Sequence, residues 1–257
     1  MNPQGHPKGE SRSAQHEAAP ATAPTRNLLI AGGLFHPAQA SVPSITRILQ
    51  AQGIHTDVEE DVEAACQRLS GGEHQLLTIS ALRWRMADAK YDAHRERWAL
   101  ALSENARAAI RAHLRAGKAL LALHTATICF DDWPQWGEIL GGRWVWGQSG
   151  HAPCAEVEVR FDAAAQGSMA QGLAPFHCQD EVYERLWLAP DVVPLAHARN
   201  LSGNAGQPGD WAPVLWTRHW EGGRVVYDAL GHDAQSLDHP VHAQLIARAA
   251  AWALQQA

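Results

Sequence analysis

Five uninterrupted apolar residues, Ala119–Leu123 (ALLAL), run directly into His124-Thr125-Ala126-Thr127. A strand with no polar residue must be buried on both faces, and a sheet covered by helices on each side does that. The same logic applies to Asn27–Gly33 (NLLIAGG), an apolar run ending in Gly-Gly. Between these two runs the chain alternates. Ser44–Gln52 carries Ile45, Ile48 and Leu49 at helical spacing, with Pro43 where a first turn tolerates it and Gly53 as a stop. His55–Glu59 reads as a strand, Val62–Leu69 as a short helix and His74–Ile79 as a third strand. Trp84–Leu102 reads as an excursion over the sheet edge, and Glu104–Ala116 as an amphipathic helix stopped by Gly117. This rhythm predicts an α/β fold with a parallel sheet and right-handed crossovers.

The second half changes period. Ala155–Phe161 alternates apolar and polar residues, and Val182–Leu188, Val192–His197, Val214–His219 and Arg224–Ala229 are further strand candidates. Glu221-Gly222-Gly223 reads as a hairpin turn, and Pro240–Leu254 as a closing helix. The expected architecture is a flavodoxin-like three-layer sandwich, mostly parallel, with an antiparallel extension. One domain is expected over residues 26–257. Residues 1–25 are rich in Pro, Ala, Gly, Ser and Gln and lack the apolar core of a secretory signal, so a disordered tail is expected there.

Composition narrows the class of function. The formal net charge of −6 argues against a nucleic-acid or anionic-membrane partner, and no apolar run is long enough to span a bilayer. The four cysteines show no CxxC spacing, which points to reduced thiols and a cytoplasmic protein rather than a disulfide framework or a thiolate zinc site. There is no nucleophile elbow of the G-x-S-x-G type, no P-loop and no HExxH. Two counts stand out, 15 His and 11 Trp. Imidazole binds metals and moves protons near neutral pH.

In open parallel sheets ligands bind beyond the carboxyl ends of the strands. There the chain places His36 after the first apolar run, His124 and Thr125 after ALLAL, and His232 after the run ending at Leu230. Asp180-Glu181 and Tyr183 add two carboxylates and a phenol. His151 belongs to a Gly- and Trp-rich stretch, and Trp133, Trp136, Trp144 and Trp146 crowd the same region. Those tryptophans fit either a lid over a carbohydrate or a hydrophobic cluster under a long loop.

These residues together resemble the ThuA-like proteins (trehalose-utilisation type), which share a class I glutamine amidotransferase-like fold. The resemblance rests on Ala31–His36, Ala122–Thr127, Asp131–Gly142, Asp180–Tyr183, Pro213–Arg218 and Gly223–Asp233, in this order from about residue 27 to the end. Amidotransferases of that fold carry a cysteine nucleophile on the turn after the central strand, where this chain has His124. The resemblance therefore implies carbohydrate metabolism rather than glutamine hydrolysis, with a sugar or 3-keto-glycoside as the small-molecule partner. The implied enzyme is a hydrolase, lyase or isomerase. His124, His232 and Glu181 are the candidate catalytic groups. His36, Thr125, Asp180, Tyr183, Trp133, His151 and Arg218 are candidate substrate contacts. In a metal-assisted version, His36, His124, His232 and Glu181 hold a divalent ion such as zinc. A non-catalytic sugar-binding or sensing protein on the same fold is the alternative, and the antiparallel extension offers apolar surface for a homo-oligomer.

Overall fold

The computed structural model describes residue 1, residues 24–202 and residues 207–255. The expected disordered tail lies outside the described residues over 2–23, and Thr25, placed in that tail, instead opens the first strand. The parallel half of the chain is β1 (Thr25–Gly33), α1 (Ala38–Gln50), β2 (Ile54–Glu59), α2 (Val62–Leu69), β3 (Leu76–Leu82), α3 (Asp92–Trp98), α4 (Glu104–Arg115) and β4 (Ala119–Leu123). There follow α5 (Pro134–Leu140), β5 (Gly142–Arg143), β6 (Ala155–Phe161), β7 (Phe176–Asp180), β8 (Trp187–Leu188), β9 (Ala196–Asn200), β10 (Ala212–Trp220), β11 (Gly223–Asp228), α6 (Ala234–Leu237) and α7 (Pro240–Leu254).

Among the described residues, nine strands form one sheet in the order β2-β1-β3-β4-β11-β10-β9-β6-β7. The first five pair in parallel, and the other four add antiparallel neighbours beyond β11. Its parallel part has the flavodoxin-like order, whose chain direction reverses between β1 and β3 and leaves a crevice at their carboxyl ends. Helices α1, α6 and α7 pack together on one face, and α2 packs on α4 on the other. Every residue of β3 and β4 is buried, as their apolar runs require. Gly33 ends β1 where the backbone comes close to β3, since a Cβ there would stand 2.3 Å from the Leu82 carbonyl oxygen. No side chain fits that gap.

Three expectations are corrected. Helix α1 begins at Ala38 rather than Ser44, because Ala38 and Ser41 are buried with Ile45 and Leu49, and the helix runs through Pro43 at the cost of one backbone bond. The expected strand Val182–Leu188 is only the two-residue β8. The true edge strand is Phe176–Asp180, whose alternation puts Phe176, Cys178 and Asp180 inward. The excursion between β3 and α4 contains a short helix, α3, and is closed on itself by Leu100 N–H donating to the carbonyl of Trp84, two residues past β3, at 2.9 Å.

Sites of helix entry follow local chemistry. Asp61 accepts the Ala64 N–H at the start of α2, and Ser103 accepts the Ala106 N–H at the start of α4. At the other end of α4, His113 is buried with its Nε2 2.9 Å from the Ala119 carbonyl, which joins the helix to the first residue of β4. Burial pushes this imidazole down to about 4, the carbonyl contact opposing only part of that shift. A histidine with a lowered folded value binds its proton first in the unfolded chain, so stability falls as pH drops from about 6.5 towards 4. His113 should contribute a loss of about 2 kcal/mol between pH 7 and pH 5. Urea unfolding across that range measures it, and His113→Gln should flatten the slope. His36, lowered to about 3, contributes in the same direction.

Candidate functional site

Strands β1, β4 and β11 end at one edge of the sheet, and each hands the chain to a turn carrying a histidine: His36, His124 and His232. The tightest turn follows β4. His124 has φ 45°, the left-handed region that costs a β-carbon-bearing residue energy and that persists where surroundings over-determine it. Those surroundings are explicit. His124 Nδ1 lies 2.8 Å from the Ala229 carbonyl, and Tyr227 donates its phenol to the His124 carbonyl at 2.8 Å. The Nδ1 contact makes that nitrogen the N–H and aims Nε2 away from the sheet. Nε2 meets the Tyr183 hydroxyl at 3.0 Å and Glu181 Oε2 at 3.5 Å.

Glu181 is the hub. Besides His124, its carboxylate reaches His151 Nδ1 at 3.5 Å and His232 Nε2 at 3.6 Å through Oε1. His36 completes the group, its ring centroid 5.1 Å from those of His124 and of His232. One carboxylate thus stands among four imidazoles. Burial would raise Glu181, but His124 first, then His151 and His232, draw it below its ordinary value. For His124 burial acts downward, and it is outweighed by Glu181, Asp180 and the Ala229 carbonyl, which raise it. Each favours the charged form of the other. His36 goes the other way: burial, with His124 and His232 beside it, pushes it down to about 3, so it is a neutral base. Burial and the nearby carboxylates hold the Tyr183 phenol protonated, well above its ordinary value.

The residues Phe35, His36, Leu82, Trp84, Tyr91, Ile128, Trp144, Trp146, His151, Glu181, Tyr183 and His232 enclose a cleft of about 350 Å³. A larger groove, about 570 Å³, opens at the amino ends of the strands around Thr25, Lys118 and Ala119, without such a convergence of acids and bases. The chemistry therefore belongs to the smaller one. His124 itself lies beneath the floor, only 2% exposed, and touches the cleft through Glu181 and Tyr183.

Besides His124, four sequence candidates do not face this cleft. Thr125 is buried and donates its hydroxyl to the Ala81 carbonyl. Trp133 packs into the main core beside Trp136 at a ring separation of 6.0 Å. Arg218 is held by Asp191 at 3.0 Å on the antiparallel extension. Asp180 is fully buried and spends its oxygens on three backbone N–H groups: Glu181 at 2.7 Å, Gly231 at 2.7 Å and His232 at 3.3 Å. It builds the site without being free to touch a substrate.

The donor set also fits a cation. His36, His124 and Glu181 each offer a ligand atom, all within 4.8 Å of one another. Neither His36 nitrogen makes a well-formed hydrogen bond, and neither does Glu181 Oε2, which stands 3.5 Å from His124 Nε2. Two imidazoles and one carboxylate suit zinc or a related divalent ion. His232, included in the four-residue set read from the sequence, stands outside this group of three.

A family model described as ThuA, trehalose utilisation, matches residues 28–253. The chain belongs to the ThuA family. Among solved structures, it is similar to a ThuA-like protein of Parabacteroides merdae, with a TM-score of 0.67, 18% identity and 91% of each chain covered. A ThuA-like protein of Bacteroides uniformis has a TM-score of 0.64 at 17% identity, covering 93% of this chain and 95% of that one. A cytoplasmic protein of Salmonella typhimurium has a TM-score of 0.56 at 12% identity, covering 89% and 99%. These likenesses show the ThuA fold. No curated protein matches the chain. Among the described residues, no helix is long and apolar enough to cross a membrane.

In this ThuA chain the cleft residues that sequence reasoning missed are Phe35, Leu82, Trp84, Tyr91 and Ile128. Leu82 ends β3 and Trp84 lies two residues beyond it, at the same carboxyl edge as the histidines, and that position was the available signal. The role given to Asp180 has a direct check. Asp180→Asn replaces one acceptor oxygen by an NH₂ facing backbone donors, so it should destabilise the protein by about 1–3 kcal/mol in chemical unfolding. An unchanged unfolding midpoint contradicts the role.

Proposed function

We propose that this ThuA protein abstracts a proton next to the carbonyl of an oxidised (3-keto) glycoside, using Glu181 as the base and imidazoles as proton carriers. The single observation that supports it most is the ionised carboxylate at the cleft floor, surrounded by His36, His124, His151 and His232. A keto group acidifies the adjacent C–H bond. Glu181 takes that proton, and the electron pair moves onto the carbonyl oxygen as an enolate. The imidazoles of His151 and His232, each beside Glu181 Oε1, are placed to relay the proton. It goes to a departing glycosidic oxygen as its C–O bond breaks, which makes the enzyme a lyase, or to a neighbouring carbon, which makes it an isomerase.

His124 acts through Glu181 rather than on the substrate, because it is buried and its Nε2 faces the carboxylate and Tyr183. Glutamine hydrolysis finds no support, since the turn after β4 carries a histidine. Cys129 downstream is buried, its thiol pushed up to about 12 by burial and its Sγ against the Ala81 carbonyl.

Deuterium wash-in tests the reading. A 3-keto-glucoside incubated with the protein in D₂O should exchange the hydrogen beside the keto group, followed by proton NMR. Glu181→Gln should slow that exchange about 10²–10⁴-fold. His124→Asn tolerates the left-handed turn and should also slow it. Wild-type exchange rates in Glu181→Gln, or no exchange in the wild type, reject the mechanism.

The three-residue donor set favours a second reading, metal-assisted catalysis, in which a divalent ion at His36, His124 and Glu181 would polarise the keto oxygen. A metal and the proton on His124 compete for the same place. Elemental analysis of purified protein should then find about one equivalent of metal, lost in His36→Ala. Less than about a tenth of an equivalent, with chelator-insensitive exchange, excludes it.

A further inference from the structure

The cleft has two ends of different chemistry. Its floor carries Glu181 and the imidazoles, while its outer wall is aromatic. Among the described residues the exposed large hydrophobics are Met1, Phe35, Val58, Trp146 and Val193, and the two aromatic ones both line this cleft. Phe35 is 65% exposed and Trp146 44%. Exposed aromatic surface converging on one cavity marks a binding site more than a solvated surface.

Phe35 carries a second cost. Its φ of 66° lies in the left-handed region, uncommon for a bulky residue. That turn sends His36 into the cleft floor and leaves the neighbouring phenyl ring at the mouth. A glycine would adopt the backbone more easily, and its use would forfeit the ring. Trp146 is braced from behind. It stacks on Trp84 at 6.1 Å with an interplanar angle of 27°, and it meets Trp144 edge-on at 6.2 Å. Trp84 in turn meets Tyr91 at 5.1 Å. The supporting rings Trp84, Trp144 and Tyr91 belong to a hydrophobic cluster around Leu34, Leu82, Met86, Ile128 and Tyr183, separate from the main core and lying beside the cleft. The outer wall is therefore a supported platform with an open face.

We infer that Phe35 and Trp146 flank an outer subsite for the non-reacting ring of a glycoside, a second pyranose whose C–H face stacks on the aromatic rings while the reacting ring lies on the imidazole–carboxylate floor. This rests on the sugar reading above and adds to it the residues that hold the non-reacting ring, Phe35 and Trp146. Aromatic rings suit this ring of the substrate, because it needs recognition and orientation without a charged or proton-transferring group.

Binding, independent of turnover, tests the subsite. The non-reacting ring is the same in an oxidised and an unoxidised disaccharide, so calorimetric titration of the full chain with trehalose and with glucose serves. Trehalose should bind on the order of tenfold more tightly than glucose. Phe35→Gly and Trp146→Ala should each weaken trehalose roughly three- to tenfold and leave glucose within about twofold. Phe35→Gly suits the local backbone, so its effect is not a folding defect. Equal losses for both sugars, equal wild-type affinities, or no measurable heat with either sugar overturns the subsite. Absent deuterium exchange with the discrimination intact rejects the proton-abstraction reading and leaves the subsite standing.

Discussion

A single carboxylate that never meets solvent ties the two halves of this protein together. Asp180 ends β7, the last strand of the antiparallel extension, and its oxygens accept the N–H groups of Gly231 and His232 just after β11. The same side chain accepts the N–H of its neighbour Glu181. A buried anion of this kind is tolerable only when its acceptor sites are filled by donors. Meeting that requirement brings Glu181 and His232, 51 positions apart in the chain, to the floor of one cleft. Every distance in the site inherits the placement.

The electrostatics follow from crowding acids and bases into a half-buried space. Glu181 is stabilised as an anion by the imidazoles around it, and His124 as a cation by Glu181 and Asp180. His36, beside two other imidazoles and with no carboxylate in hydrogen-bond contact, stays neutral. The result is a carboxylate held as an anion, an imidazole beneath it biased towards its charged form, and the free lone pair of His36, within a few ångströms. Under the proposed function such a floor would move protons, and under the second reading it would hold a divalent ion; the two uses compete for the same lone pairs.

The α/β pattern was legible because a buried strand and an amphipathic helix impose short periods on the sequence. Val62–Leu69, Ala119–Leu123, Ala155–Phe161 and Pro240–Leu254 coincide with the elements read from periodicity. The edge strand Phe176–Asp180 was not legible, since His, Cys, Gln and Asp hide an alternation that only burial reveals. Among site candidates, the histidines following apolar strands were found by a positional rule. The four clustered tryptophans divide, Trp133 and Trp136 into the core and Trp144 and Trp146 onto the cleft wall, a division hidden in the sequence because a tryptophan in the core and one on a cleft wall look alike in a linear chain.

The sequence alone determined the layered fold, the family resemblance and the edge of the sheet at which His36, His124 and His232 gather. These follow from local hydrophobic periods and from the rule that turns after parallel strands share one edge. Tertiary structure alone decided that Glu181 stands among four imidazoles, that Asp180 is spent on backbone N–H groups and that His124 lies beneath the floor. Those placements depend on contacts between segments far apart in the chain, such as His124 with the Ala229 carbonyl. Long-range pairings of this kind leave no periodic trace in the chain.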